Sequence, residues 1–213
     1  MTQLEQSARV VDDIRTFFDT TQTDPAAIRA VLPAAIRLLA EGRPVSPSEI
    51  AEAADLPLAR VETALRDLGD VEWTPDGRVE GMGLTSRETP HHMRIGNIDR
   101  YAWCAMDTLF FAAILDRAVE VESPDGASGE PLRFETDGRR IVAADPPSIV
   151  VSWFVDPSAE GVRAAACQFG HFFASRESAE AWVASYPQGG VLSLDEALKA
   201  ARESALADFG ATP

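Results

Sequence analysis

The sequence predicts an α+β fold, in which a helical lobe over residues 1–84 precedes a mainly antiparallel sheet domain flanked by helices over residues 85–213. Three observations predict it. Apolar residues recur at helical spacing, punctuated by capping signals, as far as Leu68. Short runs rich in β-branched residues, broken by Pro, Gly and Asp turns, fill the middle of the chain. Two further capped helical segments close it.

In the first lobe, Val10, Val11, Ile14, Phe17 and Phe18 give residues 1–22 one apolar helical face. Asp24-Pro25 reads as an N-cap followed by proline at the first helical position, opening a helix through Ile28, Leu32, Ile36 and Leu39 that stops at Gly42. Ser46-Pro47-Ser48-Glu49 is a capping box for a short helix through Ile50, Ala51 and Ala54, which Leu56-Pro57 breaks. A helix from Leu58 to about Leu68 follows, then a hairpin, Val71–Trp73 and Val79–Met82, around Pro75-Asp76-Gly77. This order is that of a winged helix, and Ser46 to Leu68 resembles its helix-turn-helix part. Yet the groove-facing helix of such a pair offers only Arg60 and Arg66 against Glu62 and Asp67, too few cations for phosphates. The lobe is therefore expected to pack or cover rather than read DNA.

The polar connection Gly81–Pro90 sets a soft boundary near residue 84. His91 and His92 lead a short strand through Met93 and Ile95, and adjacent residues on a strand point to opposite faces, which argues against joint metal ligation. Asn97 and Asp99 are N-cap candidates for a helix from about Arg100 to Leu115. Strands are expected at Ala118–Glu122, Pro131–Glu135, Arg140–Ala143, Ile149–Val155 and Val162–Gln168, with Cys167 at the end of the last. Ser175 then caps a helix containing Ala181, Trp182 and Val183, and Ser193-Leu194-Asp195-Glu196 is a second capping box, for a helix through Leu198 and Leu206.

With 213 residues, 46% of them hydrophobic, the chain can bury one good-sized core. A formal net charge of -15 opposes nonspecific attraction to nucleic acid and to anionic membranes. Met1 to Arg15 alternates charged and apolar residues rather than forming a signal sequence, and no apolar run is long enough to span a bilayer. Cys104 and Cys167 are expected to be reduced thiols in the cytoplasm. Neither lies in a CxxC pair, and with His91, His92 and His171 they make a poor zinc site.

The run Tyr101 to Phe111 holds the most informative pair, Cys104 and Asp107, three residues apart and so on one face of a helix. Cysteine in such a run is readily explained as core packing. A buried carboxylate is costly unless paired or neutral, so Asp107 caps a backbone group, pairs with a cation or does chemistry. Were the sheet to bring Cys167 to the same place, two soft thiol ligands and one acid would share an apolar pocket walled by Trp103 and Phe110, suited to a thiophilic centre. The helix start favours a thiolate at Cys104 while Asp107 opposes a second negative charge, so one proton would be shared. Asp107 would then act as general acid and base.

The stretch Tyr101-Ala102-Trp103-Cys104-Ala105-Met106-Asp107-Thr108-Leu109 resembles the organomercurial (alkylmercury) lyase family. So do Gly83-Leu84-Thr85-Ser86-Arg87-Glu88-Thr89, Gly42-Arg43-Pro44-Val45-Ser46, and Cys167 followed by His171-Phe172-Phe173-Ala174-Ser175. The resemblance covers most of the chain in the right order. It implies that Cys104 and Cys167 take the mercury of R-Hg-X, with Asp107 beside them moving the proton that ends on carbon. It further implies that no cofactor is needed, that Hg(II) stays bound as product, and that small thiols or a mercuric reductase relieve the enzyme of it. Relatives carry accessory cysteines where this chain has Ser123-Pro124-Asp125 and Gln168, and His171 matches a family histidine expected to be structural. A noncatalytic soft-metal binding or sensing protein with a DNA-binding lobe is the competing reading.

Overall fold

Asp24 and Ser46 begin their helices as their side chains dictate: the Asp24 carboxylate accepts the Ala27 N–H at 3.1 Å, and Ser46 and Glu49 complete a capping box. The computed structural model describes residues 3–156, 158–186 and 188–209. The first lobe comprises α1 (Gln3–Thr21), α2 (Pro25–Leu39), α3 (Pro47–Ala54) and α4 (Leu58–Asp67), then the hairpin of β1 (Glu72–Trp73) and β2 (Val79–Met82). Met1 and Thr2, included in the expected first helix, lie outside the described residues. Val45 bridges to Val79, completing a winged-helix arrangement.

The remainder runs β3 (Leu84–Thr85), β4 (His91–Ile95), β5 (Ile98–Ala102), α5 (Ala105–Leu115), β6 (Val119–Pro124), β7 (Pro131–Thr136), β8 (Ile141–Asp145) and β9 (Val150–Trp153). After these come α6 (Val162–Ala165), a 3-10 turn Cys167–Phe169, β10 (Phe172–Phe173), α7 (Arg176–Val183), β11 (Gly190–Ser193) and α8 (Leu194–Asp208). An antiparallel sheet of eight strands has the order β1-β2-β3-β5-β4-β6-β7-β8, so the wing continues through β3 into the rest of the chain. A second antiparallel sheet, β10-β9-β11, stands beside it.

Three expectations are corrected. Arg100 does not open a helix: Ile98–Ala102 is β5, joined to β4 across Gly96-Asn97 with Gly96 at φ +66. A Gly-Asn pair between strand-forming residues is a two-residue hairpin signal, and it overrides the capping reading of Asn97 and Asp99. Val162–Gln168 is not a strand; the alanine-rich segment winds into α6 and the 3-10 turn. Finally, the later strands divide between two sheets rather than forming one.

Helix α5 lies at the centre, buried over nine of its residues and apolar on all sides, the pattern of an enclosed helix. α1 and α8 close over it, with Phe209 edge-on to both Phe18 (5.6 Å) and Phe110 (5.3 Å) and Arg15 paired to Asp208 at 3.0 Å. Ser175 caps α7, and Ser193 with Glu196 forms the capping box of α8. Among the described residues no helix is long and apolar enough to cross a membrane.

Candidate active site

Two backbone hydrogen bonds fix the first thiol. Trp103 donates its N–H to the Gly83 carbonyl at 3.0 Å and Ala105 donates to the Gly170 carbonyl at 3.1 Å, so Cys104 is held from both sides. It is the N-cap residue of α5 in extended conformation, and Asp107 sits in the first turn. The second thiol belongs to the 3-10 turn Cys167–Phe169. That turn is anchored by buried Ser152 of β9, whose hydroxyl donates to the Phe169 carbonyl at 2.7 Å and accepts the His171 N–H at 3.0 Å. His171 donates Nε2–H to the Gln168 carbonyl at 3.0 Å and packs edge-on against Trp182.

The ligand atoms of Cys104, Asp107 and Cys167 all lie within 4.8 Å of one another. Cys167 Sγ approaches Asp107 Oδ2 at 3.6 Å, and both cysteines are free and buried. The three face a cavity of about 90 Å³ whose walls include Phe17 and Phe18 of α1, Met82, Trp103, Phe110 and Val162. Asp107 is half-buried and borders this cavity, most of whose walls are apolar.

Electrostatics follow from that enclosure. Burial pushes the Asp107 carboxyl up to about 6, against the opposing pull of hydrogen bonds from Cys104 and Cys167 and of the more distant Arg163 charge. Burial likewise raises the Cys104 thiol. Contact with Cys104 and burial raise Cys167 well above an ordinary thiol. The helix-start preference for a thiolate at Cys104 is therefore outweighed by desolvation, and at neutral pH the resting set is two thiols and one carboxylate able to take a proton.

The adjacent histidines stay apart from this centre. His91 is buried against Ser123 Oγ at 2.7 Å and held neutral by burial, while His92 pairs with Asp99 at 2.8 Å. Among the described residues the grouping able to hold a metal ion is Cys104, Asp107 and Cys167.

Comparison with known proteins bears directly on this centre. The sequence profile described as alkylmercury lyase matches residues 84–205, and that described as the helix-turn-helix domain of alkylmercury lyase matches residues 6–83. The alkylmercury lyase of Bacillus cereus is 38% identical over 167 residues, 78% of this chain and 77% of that protein. The chain belongs to the alkylmercury lyase family. The Streptomyces lividans alkylmercury lyase is 37% identical, over 78% of each chain, and that of Pseudomonas putida 34% identical, over 71% of this chain and 72% of its own. A crystal structure described as the mercury-bound form of MerB2 shares the fold, with a TM-score of 0.69 at 22% identity over 93% of this chain and 97% of that one. As an alkylmercury lyase, the protein is an enzyme that cleaves carbon–mercury bonds.

Several residues that frame this candidate site escape the sequence reading. Gly170 lies where a Cβ would stand 3.1 Å from Cys104 Sγ, and Ser152 holds the second thiol's turn; neither residue type signals its place before the segments are juxtaposed. Arg163 and Glu72 also stand close by, with the Arg163 guanidinium 3.9 Å over the Trp103 ring. Arg163 fell in a segment expected to be a strand, and Glu72 in a short wing strand whose pattern marks no buried acid.

Proposed function

We propose that the enzyme cleaves R-Hg-X by protonolysis on Cys104, Cys167 and Asp107. The observation that carries this reading is the convergence of two sulfurs and one carboxylate oxygen within 4.8 Å. The Asp107 carboxylate accepts a thiol proton, the thiolate displaces X from mercury, and the second sulfur adds to the same metal. Thiolate donation moves electron density toward carbon, and protonated Asp107 supplies the proton as the carbon–mercury bond breaks. The balance is R-Hg-X plus two thiols giving R-H, a mercury bis-thiolate, X⁻ and one proton. Apolar walls keep water from competing for the proton and keep Asp107 protonatable near neutral pH.

Mercury is substrate and product here, so the reaction calls for no separate cofactor. Hg(II) held by two sulfurs leaves by exchange with small thiols or by handover to a mercuric reductase, and we assign the enzyme to the cytoplasm, where such thiols are reduced. In this reading residues 85–213 carry the chemistry and residues 1–84 close the cavity. The competing role of the winged-helix lobe as a DNA reader is disfavoured by its own ion pairs. Arg29 is taken by Asp19, Arg43 by Glu49, Arg60 by Asp24 and Arg78 by Asp76. The test is direct: incubation with phenylmercury and excess small thiol yields benzene and thiol-bound Hg(II), and absence of benzene from folded enzyme with both thiols titratable would overturn the assignment.

A further inference from the structure

Glu72 lies on the wing, outside the thiol centre, yet its nearly buried carboxylate (side chain 9% exposed) gathers both flanks of that centre. Oε1 accepts the Trp103 indole N–H at 3.1 Å and also takes the Arg163 guanidinium. Oε2 accepts the Thr85 hydroxyl at 2.5 Å, with Arg87 Nε at 3.7 Å. Trp103 immediately precedes Cys104, and Arg163 lies in α6, the single turn that leads into the 3-10 turn of Cys167. Arg163 also lies over the Trp103 ring, so carboxylate, indole and guanidinium form one closed contact.

The surroundings are shaped to admit this carboxylate. Gly81, the ladder partner of Glu72, has no room for a side chain: a Cβ there would stand 2.5 Å from Glu72 Oε2 and 2.7 Å from Thr85. A second bond from the same lobe pins the same segment, the Arg163 N–H donating to Asp70 Oδ2 at 3.0 Å. Ser152 and the Ala105–Gly170 hydrogen bond hold the chain that follows Cys167, whereas Glu72 and Asp70 hold the segment that precedes it, so the carboxylate of Glu72 fixes the side of the turn that those bonds leave untied.

We propose that Glu72 is a positioning residue that sets the separation of the two thiols, by holding Trp103 ahead of Cys104 and Arg163 ahead of Cys167 on a single carboxylate. This rests on the reading that both sulfurs act on one mercury. It gives the winged-helix lobe a task in the reaction: the wing carries the strut between the two halves of the site. Loss of the strut leaves each thiol chemically intact but spoils their joint grip, so the bond-breaking step suffers more than initial binding.

Phenylarsine oxide reads the separation without any carbon–mercury chemistry, since one arsenic condenses with two thiols and releases water. Wild-type enzyme is expected to lose both thiols to one equivalent. Glu72→Gln is expected to capture the arsenical roughly 10- to 100-fold more weakly and to show a similar fall in kcat with KM little changed. Its thiols should still react with monobromobimane at wild-type rates or faster. If Glu72→Gln does not fold, Arg163→Gln, at a partly exposed side chain, tests the same strut; where both fold, the double variant should be no worse than the poorer single. Undiminished arsenical capture, or equal losses in arsenical capture, monobromobimane reaction and melting temperature, overturns the proposal. Tight arsenical capture by a wild-type enzyme that releases no benzene would instead remove the reaction assignment and leave the thiol-spacing result to stand alone.

Discussion

Cys167 Sγ stands 3.6 Å from Asp107 Oδ2, so the second thiol donates toward the carboxylate that also serves the first. A proton can pass between sulfur and oxygen without solvent. Removing either end should separate capture from cleavage. Cys104→Ser and Cys167→Ser should each lower turnover of phenylmercury by at least about 1000-fold, the scale on which essential nucleophiles act. Asp107→Asn should still take up one mercury per enzyme while releasing no benzene, as measured by mercury retention after gel filtration and by hydrocarbon analysis.

Because burial holds the Asp107 carboxyl at about 6, the base form predominates only above that pH. The kcat/KM for phenylmercury should therefore rise with pH through about 6 and level off above it, since this parameter reports the free enzyme. A pH–rate profile checks the rise, and a flat profile from pH 5 to 7 (roughly the span around that value) would count against Asp107 as the base.

The same burial has the opposite sign for stability. The folded carboxyl titrates at about 6 and the ordinary value is 3.8, so between these pH values the native state binds more protons than the unfolded state and stability falls as pH rises. Above about 6 the enzyme carries the whole penalty, on the order of 2–3 kcal/mol. Asp107→Asn should accordingly melt higher than wild type at pH 7.5 (roughly neutral, above the folded value), with the difference shrinking toward pH 4 as both states of the wild-type carboxyl become protonated. Thermal melts at several pH values measure this directly.

Much of the fold was legible because capping chemistry is local: Asp24, Ser46, Ser175 and Ser193 each signal a helix start within four residues. Of the candidate site residues, Cys104 and Asp107 were legible as chemistry in an apolar run and Cys167 by likeness to a family, but periodicity contains no information about the convergence of the three. The start of α5 was misread because Asn97 and Asp99 are good caps and equally good turn residues, and only the pairing of β4 with β5 decides between them. The strand expected at Cys167 is instead a four-residue helix followed by a three-residue 3-10 turn, both too short to leave a periodic pattern. Glu72 and Gly170 were invisible because their importance lies wholly in what other segments bring to them.

Gly170 gives a sharp packing test. An added methyl would meet Cys104 Sγ at 3.1 Å and Cys104 Cβ at 3.3 Å, closer than comfortable contact, with no positive φ to complicate the result. Gly170→Ala should reduce kcat/KM by about 10-fold or more, since small displacements of reacting groups are expensive, while lowering stability by about 1–2 kcal/mol. Steady-state kinetics with a denaturant melt separates the two effects.

The ion pairs of the winged-helix lobe predict silence toward DNA. Filter retention of duplex DNA should be absent even at low salt, where cation-driven binding would be strongest. Retention that weakens steeply with salt would revive the sensor reading.

The continuous eight-stranded sheet makes the two profile-matched parts inseparable in practice. A fragment starting at residue 84 would keep the thiols yet lose β1 and β2, leaving β3 as a raw edge beside the hydrophobic floor of the cavity. Such an edge is a template for intermolecular pairing, so a dissected catalytic half should aggregate instead of working slowly. For engineering, the permissible joints in this enzyme are exposed turns such as Gly96-Asn97 between β4 and β5, where a Cβ added at Gly96 would meet nothing within 4 Å, rather than the seam between its helical and sheet regions.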